Sequence, residues 1–139
     1  MAVTRKKLTL ALAVKGGLLA GVSAAIITNI YNYLYFELFH FSLDEYINFP
    51  VLTFVSIISS LIASAGYYML VKLTRKYTFY FNLTCIIVLL LSFYWSFSAT
   101  LPDGMTSPSG FRLLSMPLHV IVTLCIMIII PKATDVRRY

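Results

Sequence analysis

The chain has 139 residues, enough for a single domain, and a formal net charge of +6. Hydrophobic residues make up 60% of it and charged residues only 12%, whereas soluble domains have about 45–50% apolar and about 25% charged residues. A core of this size cannot hide so much apolar surface, which excludes an ordinary soluble domain. The positive charge does not indicate a nucleic-acid-binding protein, because the basic residues fall in short clusters between long apolar runs.

Four apolar runs are each long enough to cross a bilayer as a helix, which takes roughly 20 residues. We expect helices over residues 8–39, 51–73, 77–98 and 111–130. Together they make one membrane domain that occupies residues 1–139. Pro50 suits the first turn of the second helix, and Pro131 is expected to lie at the end of the fourth.

The basic residues predict the orientation of these helices. They cluster before the first helix, between the second and third, and after the fourth: Arg5, Lys6, Lys7, Lys72, Arg75, Lys76, Lys132, Arg137 and Arg138. The other two loops hold mainly acidic residues: Asp44, Glu45 and Asp103, with Arg112. Because Lys and Arg accumulate in cytoplasmic loops, the sequence predicts an all-α, four-transmembrane-helix bundle with both termini in the cytoplasm.

The first apolar run leaves two alternatives open. The cluster at residues 5–7, the apolar stretch and Val22-Ser23-Ala24 resemble a signal peptide whose cleavage would leave three spans. Lys15 interrupts that stretch and the run continues past Ala24, which favours an uncleaved helix. The stem of Lys15 can reach the membrane interface, and the alternative is a functional buried lysine.

Small residues recur at four-residue spacing on the first two helices. They are Gly17, Gly21 and Ala25 on the first helix, and Ser56, Ser60 and Ser64 on the second. Helices in lipid are held together by close packing and polar contacts rather than by a hydrophobic drive. We therefore expect these two faces to pack against each other. The alternative is that one of them forms a homo-oligomer contact.

Polar residues inside the apolar runs are few, and several lie at one depth. Asn29, Asn32, Tyr33, Glu37 and His40 form a stripe over the outer half of the first helix. Ser92, Tyr94 and Ser96 on the third helix and His119 on the fourth lie at a comparable depth, with Pro117 expected to kink the fourth helix nearby. One hypothesis is a polar ligand-binding pocket lined by Asn29, Asn32, Glu37, His40, Tyr94 and His119. The other is hydrogen bonding that fixes the bundle, and both require Asn29 and Asn32 to face protein rather than lipid.

The sequence provides little for catalysis, metal or cofactor binding. Cys85 and Cys125 lie inside apolar runs without metal-type spacing, which is typical of packing residues. His40 and His119 would have to face each other across the bundle to hold a haem, and His40 lies at the very end of its helix. We expect no catalytic residues, no metal site and no cofactor.

Three segments together resemble a family of small bacterial four-helix integral membrane proteins, a domain of unknown function. They are the first helix with Gly17, Gly21 and Asn29, the end of the third helix at residues 89–92, and residues 113–120 leading into the fourth. In that family Met and His are adjacent, whereas here Pro117 and Leu118 separate Met116 from His119. The resemblance implies a location in the bacterial cytoplasmic membrane and supplies no activity.

Three classes of function remain open. The favoured hypothesis is a non-enzymatic membrane component, either a homo-oligomer or an accessory subunit of a larger membrane complex. The alternative is a small transporter or a lipid- or ligand-binding protein that uses the outer polar pocket. A membrane enzyme or redox carrier is the least favoured. The expected partners are the lipid bilayer and other membrane protein, not nucleic acid.

Overall fold

The structure of the protein is a computed structural model, and it describes residues 8–40, 47–98 and 109–134. Four α-helices account for nearly all of these residues: α1 (Leu10–Phe39), α2 (Phe49–Leu73), α3 (Tyr77–Ser98) and α4 (Ser109–Thr134). Each is long and apolar enough to cross a membrane. The prediction of an all-helical chain with four apolar helices is therefore confirmed.

Local side-chain chemistry sets where α1 and α2 begin and where α1 ends. Thr9 accepts a hydrogen bond from Leu12 N (3.2 Å), and Asn48 accepts one from Val51 N (3.1 Å), so both helices start at a capped turn. Pro50 occupies the first turn of α2, where its missing amide hydrogen is not needed. His40 ends α1 in the left-handed region at φ 50°.

The fourth helix continues beyond the end expected from the sequence. Pro131 lies inside α4, which runs on to Thr134. The carbonyl that Pro131 leaves without a donor in its own helix is that of Met127, four residues earlier. In the last turn, the Thr134 hydroxyl lies within hydrogen-bonding distance of the carbonyls of Ile130 (2.9 Å) and Pro131 (3.1 Å).

Successive helices run antiparallel, and α1 and α3 lie on opposite sides of the pair formed by α2 and α4. The helix α1 packs against α2 and α4. The helix α3 packs against the same two helices but buries a smaller part of its surface there. Within the described residues α1 and α3 do not contact each other. The end of the bundle that carries Lys72, Arg75, Lys76 and Lys132 is called the basic end below, and the opposite end is called the distal end.

The first helix approaches both neighbours through residues with little or no side chain. A Cβ atom on Gly16 would lie 3.4 Å from Thr134 Cγ2 on α4. The next residue, Gly17, faces α2 instead, where a Cβ atom would lie 2.8 Å from Ser64 Cβ and 3.0 Å from the Ser60 carbonyl oxygen. Consecutive glycines thus place α1 against two helices at once.

The small-residue faces of α1 and α2 meet inside one chain. Ser56, Ser60 and Ser64 are at most 2% exposed, and a Cβ atom on Gly21 would lie 2.8 Å from Ile57 Cα. Ala25, the third small residue of the α1 face, is 6% exposed. These faces are covered within the chain, so they are not available for a contact between copies.

An aromatic cluster fills the basic end of the bundle. The Tyr67 ring lies edge-on to Tyr77 (5.7 Å between ring centroids) and to Phe81 (4.9 Å), which joins α2 to α3. Tyr67 also packs in one buried cluster with Ile126 and Ile130 on α4. Three helices are therefore tied together beside the glycines of α1.

Replacing Gly17 with Ala should destabilise the bundle, because the new Cβ atom would lie 2.5 Å from Ser64 Oγ and 2.8 Å from Ser64 Cβ. We expect the free energy of unfolding in mixed micelles to fall by about 1–3 kcal/mol, the usual cost of overpacking. Gly66→Ala is the matched control, since a Cβ atom there would meet nothing within 4 Å. Equal stability of the two variants would contradict the close approach of α1 to α2.

Candidate functional site

The distal half of α1 presents different polar residues to its two neighbours. Tyr31 and Tyr35 face α4, where their hydroxyls donate hydrogen bonds to backbone carbonyls. Asn29 and Asn32 face α2, where they line a groove between the helices. The side of α1 that carries the two tyrosines therefore packs against α4, whereas the side that carries the two asparagines lines an open groove.

On the α4 side, Tyr31 satisfies a carbonyl that Pro117 leaves without a partner. Proline has no amide hydrogen, so the carbonyl four residues earlier, that of Leu113, has no donor within its own helix. The Tyr31 hydroxyl donates to this oxygen at 2.9 Å. The Tyr35 hydroxyl donates to the Gly110 carbonyl at 3.1 Å, and its ring packs with Leu114 and Leu118.

On the α2 side, a groove of about 400 Å³ opens to the surface of the bundle. Three carboxamides and three aromatic rings line it: Asn29, Asn32, Asn48, Tyr33, Phe36 and Phe49. A smaller groove of about 150 Å³ adjoins it toward the middle of the bundle and shares Asn29 and Phe49. Its remaining wall is Val22, Ala25, Ile26, Thr53 and Ile57. The two volumes adjoin at Asn29 and Phe49 and are together called the α1–α2 groove below.

Asn29 combines a structural contact with a group that is open to the groove. Its amide nitrogen donates to the Ala25 carbonyl (2.8 Å) and to Thr53 Oγ1 (3.2 Å), so both amide hydrogens are used and α1 is bonded to α2. The carboxamide oxygen accepts no hydrogen bond from the described residues. Asn29 therefore offers the groove an acceptor whose position is fixed by two hydrogen bonds.

Asn32 has no such internal partner. It is half-buried and lines the groove, and its carboxamide makes no hydrogen bond to any residue that the structure describes. A carboxamide has two donor hydrogens and an acceptor oxygen. Together Asn29 and Asn32 can donate to and accept from an uncharged polar group, and none of the described lining residues carries a formal charge.

The structure does not bring the other residues of the hypothetical pocket to this groove. Glu37 and His40 are exposed near the end of α1 and do not line it. Tyr94 is 70% exposed on α3, which does not contact α1 among the described residues. His119 is exposed on α4 and lines neither part of the groove. Ligand binding by any of the six residues stays a prediction.

The lining residues that were not singled out in the sequence include Asn48, Phe49 and Thr53. They belong to the start of α2, and Asn48 and Phe49 directly precede Pro50, so the sequence marks them as a helix start rather than as a binding surface. The described residues contain no group of three His, Cys, Asp or Glu side chains that could hold a metal ion. Cys85 and Cys125 are free thiols.

The contact between Tyr31 and the Leu113 carbonyl should depend on Pro117. We expect Tyr31→Phe to lower the free energy of unfolding by about 1 kcal/mol, since this carbonyl loses its donor. In a Pro117→Ala background the same change should cost much less, because an alanine at this position supplies the missing amide hydrogen. Thermal or denaturant unfolding of the four proteins in detergent measures the coupling. A cost of Tyr31→Phe that is the same in both backgrounds would contradict this account of Pro117.

No family model, no curated protein and no solved structure matches this chain. The resemblance to a family of small bacterial four-helix membrane proteins accordingly stays a prediction.

Proposed function

We propose that the chain is a multi-pass protein of the bacterial cytoplasmic membrane with both termini in the cytoplasm. Lys72, Arg75 and Lys76 are exposed where α2 turns into α3, and Lys132 is exposed in the last turn of α4. These ends of the helices lie together at the basic end, and cytoplasmic loops are the ones enriched in Lys and Arg. In this orientation the distal end and the α1–α2 groove lie in the outer half of the membrane.

Within that membrane we propose a non-enzymatic role, as a subunit of a larger assembly that α3 joins. The small buried fraction of α3 is the observation that supports this role. In the most apolar 18-residue window of each helix, 39% of α1 is buried but only 6% of α3. In lipid there is little hydrophobic driving force for helices to associate, so packing and polar contacts set the position of a helix. A second protein surface would give α3 the contacts that its own chain does not supply.

The exposed surface of α3 is large and mostly apolar. The side chains that form this surface are each at least 43% exposed and include Leu83, Ile86, Ile87, Leu90, Leu91, Tyr94, Trp95 and Phe97. The small-residue faces of α1 and α2 are already covered within the chain. An assembly in which α3 is the contact helix therefore leaves the packing of the bundle unchanged.

Tryptophan substitution on two exposed helix faces tests this role. Leu90 on α3 is 60% exposed and Ile30 on α1 is 55% exposed, so neither substitution is blocked within the chain. We expect the wild-type chain, extracted from its own membrane in mild detergent, to have a native mass above that of one 15.7-kDa chain. Leu90→Trp should release the single chain, because a bulky ring does not fit a packed helix contact, whereas Ile30→Trp should not.

The native mass also separates the two forms of assembly. A whole-number multiple of 15.7 kDa would indicate a homo-oligomer through α3, and a complex that contains a second protein would indicate an accessory subunit. A bare single chain from wild-type membranes would contradict the proposed role. So would a complex that Leu90→Trp leaves intact.

A second candidate function is the binding or transport of a lipid or another small ligand in the α1–α2 groove. The observation that favours it is the Asn32 carboxamide, which faces the groove without a hydrogen-bond partner among the described residues. A polar group left without a partner at membrane depth costs free energy. A ligand that formed a hydrogen bond to the Asn32 carboxamide would remove this free-energy cost.

A further inference from the structure

The α1–α2 groove changes from polar to apolar along its length. At the distal end, carboxamides and aromatic rings line about 400 Å³, and toward the middle of the bundle Val22, Ala25, Ile26 and Ile57 contribute to the wall of a further 150 Å³. A ligand that fills both parts must itself have a polar and an apolar portion. A membrane lipid has this form, with its headgroup at the membrane surface and its chains toward the centre.

The polar part of the groove favours an uncharged headgroup. A phosphate is normally bound by Arg, Lys or helix amides, but none of the lining side chains that the structure describes is cationic. Lys72, Arg75 and Lys76 lie at the basic end, and Arg112 lies over the Phe97 ring of α3, at 5.3 Å, away from the groove.

Carboxamides beside aromatic rings suit a headgroup rich in hydroxyls. Each hydroxyl both donates and accepts a hydrogen bond. Asn32 offers donors and an acceptor, and Asn29 offers an acceptor held by its bonds to Ala25 and Thr53. The rings of Phe36 and Phe49, which are 44% and 68% exposed, supply flat apolar walls for the C–H faces of a sugar. The volume lies within the range of roughly 300–1,000 Å³ that is usual for small-ligand sites.

We propose that the α1–α2 groove binds a glycolipid with an uncharged sugar headgroup, whose hydroxyls bond to Asn29 and Asn32 and whose acyl chain follows Val22, Ile26 and Ile57. The proposal rests on the second candidate function and names the class of its ligand. It does not depend on the assembly through α3. Free sugar lacks the apolar portion and should bind far more weakly than the glycolipid.

Native mass spectrometry in a polyoxyethylene detergent, which has neither a sugar nor a charge, tests the proposal. The purified chain is titrated with monoglucosyl diacylglycerol, phosphatidylglycerol and phosphatidylcholine of identical acyl chains, and with glucose. We expect one monoglucosyl lipid per chain, bound about tenfold or more tightly than either phospholipid, as for one well-made hydrogen bond. Asn32→Leu should weaken glucosyl-lipid binding by about tenfold, and Thr84→Val, at an exposed position of α3, should not change it.

Two variants change the groove in different ways. Asn32→Leu removes no hydrogen bond to a described residue, and Phe49→Leu provides a second variant that removes a ring from the groove without touching Asn32. A phospholipid preferred in an Asn32-dependent way would overturn the sugar headgroup but leave lipid binding in place. A wild-type chain that retains no lipid would overturn both. Equal binding of all lipids, unaffected by either groove variant, would overturn the groove as the site.

Discussion

The close approach of α1 to α2 is the constraint on which the rest of the bundle depends. Lipid gives two apolar helices little reason to associate, so their backbones must come near enough for dispersion and polar contacts to act. Gly17 and Gly21 permit this, with Ser60, Ser64 and Ile57 occupying the space that side chains would fill. Gly16 lets α4 approach the same helix from another side. The position of α1 between two close neighbours leaves α3 at the periphery.

The same constraint explains why a groove opens at the distal end. The small residues that face α2 end at Ala25, and the next residues on that side are Asn29, Asn32, Tyr33 and Phe36, whose larger side chains occupy the space between the helices. Asn29 still reaches Thr53 through a hydrogen bond. Beyond it a groove lies between the helices, lined by these α1 residues and by the residues at the start of α2. On the opposite side Tyr31 and Tyr35 fix α4 instead.

Sequence periodicity was sufficient for the parts of the fold that depend on a single helix. Length and hydropathy predicted four apolar helices, and four-residue spacing identified the faces of α1 and α2 that meet. Which helices are neighbours could not be predicted in the same way. Depth along the chain placed Tyr94 and His119 level with Asn29, but depth does not say which helices are neighbours, and α1 does not contact α3 among the described residues. The extension of α4 past Pro131 was likewise not predicted, because a proline after an apolar run is a common sign of a helix end.

The central claim is that α1 packs against α2 within one chain, and thiol cross-linking tests it most directly. Asn29→Cys and Thr53→Cys place thiols at positions whose side chains lie 3.2 Å apart, in a background where Cys85 and Cys125 are replaced by Ala. Dibromobimane, a short thiol-to-thiol linker, should join them within a single chain. The pair Asn29→Cys and Tyr94→Cys, on helices whose described residues do not touch, should stay unlinked. Linkage of Asn29→Cys to Thr53→Cys only between two chains, or none at all, would contradict the account.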